Sequence, residues 1–141
     1  MDTDYIPELV ERMDRALIER EKVRISKTHE LSIAYSCIEG AIRALKRVDD
    51  PMAAFLEPMA TLLSPSLGAY QRQRDAADTE LHKATEALMV AGIRVSEQLE
   101  GAKEEAEERE DFSLFDSITR VQAHLDSEEE RETLTRNGHY D

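Results

Sequence analysis

Asp78, His82 and Glu86 stand four residues apart in a stretch with helical patterning, so their side chains share one face. That spacing is able to hold a divalent metal. Di-metal bundles, however, draw on Glu-x-x-His pairs from facing helices, and no such pair occurs in these 141 residues. An Asp, a His and a Glu are ordinary contents of a charged surface face, so no metal is expected. His29, His124 and His139 stand apart from one another along the chain. The sole cysteine, Cys37, excludes an internal disulfide and a multi-cysteine zinc site. It lies in the apolar run IAYSCIEGAI, where a small buried hydrophobe is expected. There is no Gly-rich phosphate loop, no His-Glu-x-x-His and no Ser or Cys nucleophile motif. The expectation is therefore a protein that is not an enzyme, with no catalytic, cofactor-binding or metal-ligating residues.

Charge offers binding chemistry instead. EQLEGAKEEAEERED (97–111) sets eight acids against Lys103 and Arg109, with Glu104, Glu105, Glu107 and Glu108 at its centre. Such a run suits a basic partner, or mimics a nucleic-acid backbone; its plainer reading is a solvated helix face. REKVRISK (20–27) sets Arg20, Lys22, Arg24 and Lys27 against Glu21. It could meet phosphates or an acidic partner, but no aromatic residue interleaves it as a stacking platform for bases. The plainer reading here is the polar middle of a long helix. The net charge of −13 is uneven: −1 over residues 1–49, −2 over 50–96 and −10 over 97–141. Such a chain repels nucleic acid and anionic lipid at long range, so neither is the expected partner. The start, MDTDYIPE, is acidic, and no apolar run approaches the roughly 20 residues of a membrane span. A cytoplasmic protein is expected.

These residues must be carried on helices. Aromatics are 5% of the chain and charged residues 35%, a balance that favours long helices or coiled coil over a thick globular core. From Asp4 to Val48, Ile6, Val10, Met13 and Leu17, then Leu31, Tyr35, Ile38, Ile42 and Leu45, step by three and four. With no Gly or Pro between Pro7 and Gly40, one helix over 4–48 is expected, about 65–70 Å long at 1.5 Å per residue. Ser64-Pro65 reads as a cap and first-turn proline, opening a helix over 65–110 along Leu67, Tyr70, Arg74, Ala77, Leu81, Ala84, Leu88, Ala91 and Val95. Between the two, Pro51, Pro58 and Pro65 recur every seven residues, and Pro58 should break the chain into a short helical corner over 50–64. A third helix is expected over 112–133, capped by Asp111 or Ser113, and a flexible tail over 135–141.

The expected fold is all-α: a long antiparallel helical hairpin, coiled-coil-like, with a proline-marked corner and a C-terminal helix. It forms a single elongated domain over 1–134, completed as a bundle by oligomerisation. The hairpin places Arg12 and Arg15 beside the acidic run 97–111. Residues 31–48 and 84–95 are apolar over more than one face, which exceeds what a two-helix seam hides. Ile38, Ile42, Leu88, Val90 and Ile93, with Met52, Phe55, Met59 and Leu62 at the corner, are the expected partner-binding residues. The expected function is a helical interaction protein, an adaptor or structural subunit working with protein partners as a homodimer or hetero-oligomer. In the order of its elements alone the chain resembles a BAR domain, and the resemblance implies a helical dimer acting at membranes. An acidic decoy for a basic nucleic-acid-binding protein is a further alternative.

Overall fold

A computed structural model describes residues 5–136 of the chain. Those residues are all-helical: α1 (Tyr5–Arg24), α2 (Lys27–Arg47), α3 (Met52–Val90), a 3-10 turn (Ser96–Leu99), α4 (Glu100–Glu108) and α5 (Phe112–Arg136). Of the expected tail, Thr135 ends up inside α5, while 137–141, with His139, lie outside the described residues. Contacts gather the chain into two compact units, residues 1–17 with 80–141, and residues 18–79.

Three boundaries differ from the sequence expectation, each for a local reason. The helix expected over 4–48 is two helices, because Ser26 leaves the helical region (φ −74°, ψ 158°) and caps α2. Its hydroxyl accepts from the His29 backbone N–H at 3.2 Å and donates to the Val23 carbonyl at 2.7 Å, satisfying groups on both sides of the break. The corner expected over 50–64 is unbroken helix from Met52 onward. Asp50 caps it, accepting from the Met52 N–H at 2.9 Å, but Pro58 and Pro65 both lie inside α3. Each removes the N–H owed to the residue four back, Ala54 and Thr61, and both of those residues are exposed, so water can reach the freed carbonyls.

The helix expected over 65–110 stops at Val90. Gly92 adopts φ 91°, and its N–H reaches the Met89 carbonyl at 3.0 Å while the Ile93 N–H reaches that of Leu88 at 2.9 Å. This pair of bonds is the Schellman termination, with Ile93 packing back into the same core as Leu88. Asp49 (φ 55°) and Glu110 (φ 57°) end α2 and α4 with the same bond pattern, without the glycine that favours a left-handed backbone.

In the unit of residues 1–17 and 80–141, Val10, Met13, Leu88, Leu99, Ile118 and Val121 are almost wholly buried and form one cluster with Leu81, Ala84 and Ile93. In the unit of residues 18–79, α2 and the first part of α3 run antiparallel. Lys46 Nζ lies 3.0 Å from Glu57 Oε1 near the turn, and Thr28 donates to Gln73 at 2.7 Å at the far end. His29 stacks on Tyr70 there, ring centroids 4.6 Å apart. The core between them is thin: Ile42, Ala53 and Ala60 are buried, with Tyr35, Ile38, Leu45 and Leu56 half-buried around them.

Candidate interaction surface

The periodicity of α2 and α3 explains both what residues 18–79 bury and what they leave out. On α2 the inward seam is Tyr35, Ile38, Ile42 and Leu45; on α3 it is Ala53, Leu56 and Ala60. Offset from it by one residue towards the N-terminus runs a second seam of the same stepping. On α2 it is Cys37, Ala41 and Ala44, continued by Val48 at the C-cap, and on α3 it is Met52, Phe55, Met59 and Leu62, all exposed. A step back of one residue turns a helix face by about 100°. Seen from one end, antiparallel helices turn in opposite senses, so both second seams swing to the same side of the pair. Residues 18–79 therefore present a two-helix apolar face. Phe55 is 76% and Leu62 79% exposed, more than isolated surface apolar residues require.

The electrostatics reinforce the division. Residues 18–79 carry nine acids and nine bases and are neutral, so the whole −13 lies on residues 1–17 and 80–141. From Pro51 to Gln71 the only charged residue is Glu57, and Lys46 engages it. The residue spacing already shows this surface; its exposure follows only once the antiparallel pairing is known.

Of the residues expected to bind partners, Met52, Phe55, Met59, Leu62 and Val90 are exposed. Three are buried. Ile42 is core of the α2–α3 pair, and Leu88 and Ile93 are core of the other unit, since the Gly92 turn folds Ile93 inward. Ile38 is half-buried beside Ile42. The charged residues Arg20, Lys22, Arg24 and Lys27 are exposed, and local pairs Lys22–Glu19 (3.3 Å) and Arg24–Glu21 (3.6 Å) partly neutralise them. Glu104, Glu105, Glu107 and Glu108 are likewise exposed, with Glu105 paired to Arg109. Cys37 is exposed, where a buried hydrophobe was expected. His82 and Glu86 form an exposed pair at 3.0 Å. Among the described residues no three His, Cys, Asp or Glu side chains gather as a metal site, and no helix is long and apolar enough to cross a membrane.

One polar site went unread in the sequence. Asp14, beside Met13 on the buried side of α1, accepts from Arg120 Nε at 2.7 Å and Nη2 at 2.8 Å, and from the Ser117 hydroxyl at 2.9 Å. The Arg120 bonds hold its carboxyl below the ordinary carboxylate range, against the opposing effect of burial, and Ser117 adds to them. Arg120 is raised in turn, chiefly by Asp14. Arg12 and Arg15 make no ion pair among the described residues, but the start of α1 does reach the acidic run: Ile6 and Pro7 line a cleft with Gln98, Ala102, Glu105, Arg109 and Asp111. No protein-family model matches the chain, and neither a curated protein nor a solved structure matches it.

Proposed function

We propose that the chain is a non-enzymatic helical interaction protein, an adaptor or structural subunit of a larger assembly that works through apolar helix faces. The observation that carries this reading is the exposed two-helix face of residues 18–79, formed by Cys37, Ala41, Ala44 and Val48 with Met52, Phe55, Met59 and Leu62. A pair of helices with so thin a core gains most by covering that face with further helices, which would complete a coiled-coil-like bundle. The charge segregation supports a division of labour: residues 18–79 assemble, and the acidic remainder faces solvent or a basic protein. The same acidity disfavours direct contact with nucleic acid or anionic lipid.

Affinity purification from the source cell tests the reading. Wild-type protein is expected to bring down another protein in near-stoichiometric amount and to retain it through moderate salt, as apolar contacts do. Recovery of the tagged chain with no companion but itself would refute the adaptor role. Partners that wash off with salt and bind residues 80–141 alone would favour the acidic-decoy reading.

A further inference from the structure

We infer that the occupant of the two-helix face is a second copy of this chain, docked about a two-fold axis parallel to α2 and α3, to make an antiparallel four-helix bundle. The inference rests on the interaction reading above and names the partner of that surface.

Size complementarity carries it. The exposed seam of α3 is large, with Met52, Phe55, Met59 and Leu62, whereas that of α2 is mostly small, with Cys37, Ala41 and Ala44. Large side chains pack best against small ones across a layer, and the chain supplies both on one face. A two-fold axis along the helices sets α3 of each copy over α2 of the other and leaves residue levels unchanged. The Lys46–Glu57 bridge fixes those levels. Two residues to one side Met59 stands level with Ala44, two to the other Phe55 stands level with Val48, and five along Leu62 stands level with Ala41. Each copy gives what the other lacks, as an isologous interface demands.

Charge and area agree. Residues 18–79 are neutral and so meet a second copy of themselves without net repulsion, whereas a copy approaching through residues 80–141 would meet like charge. From Cys37 to Val48 the apolar face extends about 17 Å, and a two-helix face is about 20 Å wide, so its plan area is about 330 Å². That is the size of the apolar centre of a dimer contact, with the polar remainder of α2 and α3 as its rim.

Sedimentation equilibrium of the purified full chain decides the matter. Wild type is expected to be a dimer at micromolar concentration. Met59→Lys and Ala44→Glu, both at positions exposed in the single chain, should each weaken dimerisation by about a hundredfold or more, because each sets an unpaired charge in the contact. Mixed one to one, the two variants should recover a heterodimer, since the ammonium introduced at position 59 of one copy meets the carboxylate introduced at position 44 of the other. Phe112→Glu, at a site 63% exposed in the other unit, should leave the dimer intact. A monomeric wild type would overturn the inference whatever the cell purification finds, and would give the face to a different helical protein. Dimerisation unaffected by Met59→Lys and Ala44→Glu would overturn it equally. So would variants that dissociate but fail to recover a dimer when mixed, by disproving the pairing of α3 with α2.

Discussion

Replacing Arg120 with Met isolates the contribution of the buried Asp14 carboxylate, which joins α1 to α5. The Asp14 side chain is 6% exposed and receives two bonds from the guanidinium, at 2.7 and 2.8 Å, and one from Ser117 at 2.9 Å. Methionine keeps an aliphatic stem but leaves the carboxylate with the hydroxyl alone. Breaking a buried pair from one side costs about 3–5 kcal/mol. Arg120 is itself 51% exposed, so water already screens part of the interaction. The expected loss near neutral pH is therefore lower, about 1.5–3 kcal/mol, the range of hydrogen bonds to a charged group.

The pH dependence gives the sharper test. In the wild type, Asp14 titrates below its ordinary value of 3.8, because Arg120 outweighs burial. Its contribution to stability is thus full above that value and is lost as pH falls through the folded pKa. Without Arg120 the sign reverses: burial, opposed only by Ser117, lifts the carboxyl above its unfolded value, and protonation then favours the folded variant. The stability gap between wild type and Arg120→Met should narrow between about pH 7 and about pH 4. Urea unfolding followed by far-ultraviolet circular dichroism measures the gap at both. A gap that stays constant, or one under about 0.5 kcal/mol near neutrality, would refute the assignment of Asp14 as a paired, buried carboxylate.

Leu88→Ala should destabilise by about 2–5 kcal/mol, because Leu88 is fully buried, whereas Val90→Ala two residues on should stay within about 0.5 kcal/mol; equal effects in thermal unfolding would contradict the facing of the last turn of α3, which turns Leu88 inward and Val90 outward. Ser26→Ala removes the acceptor of the His29 N–H and should cost about 1 kcal/mol, with faster hydrogen exchange in the first turn of α2. Glu110→Gly relieves a left-handed glutamate at the end of α4, where glycine carries no Cβ penalty, and should raise the urea midpoint by an amount corresponding to about 0.5–1 kcal/mol. A lower midpoint would show that the Glu110 side chain contributes more than its backbone conformation costs.

Helix content was legible because a three-and-four apolar stepping has one structural meaning over so many turns. The breaks were less so. Gly92 carried its signal openly, a glycine after Leu88-Met89-Val90, but the apolar steps at Ala91 and Val95 continue across it and mask the stop. Ser26 was obscured in another way: its run reads as polar helix until its backbone is seen to be extended. The prolines show the opposite error. Pro58 and Pro65 look like breakers because the sequence does not say whether the carbonyls they release meet water, and Ala54 and Thr61 do. Asp14 was illegible for a long-range reason, since its partners lie more than 100 residues away. The interaction face stands between these cases. Two apolar seams offset by one residue are visible in the sequence of both α2 and α3, and they make each apolar arc wider than a single partner helix can cover. What the sequence withholds is which seam turns inward, and the Lys46–Glu57 and Thr28–Gln73 contacts decide that by fixing direction and level. With Ile42, Ala53 and Ala60 inward, the larger side chains of α3 are committed outward. In residues 18–79 Ala53 and Ala60 are buried while Met52, Phe55, Met59 and Leu62 stand exposed, and that inversion of size is what the proposed contact rests on.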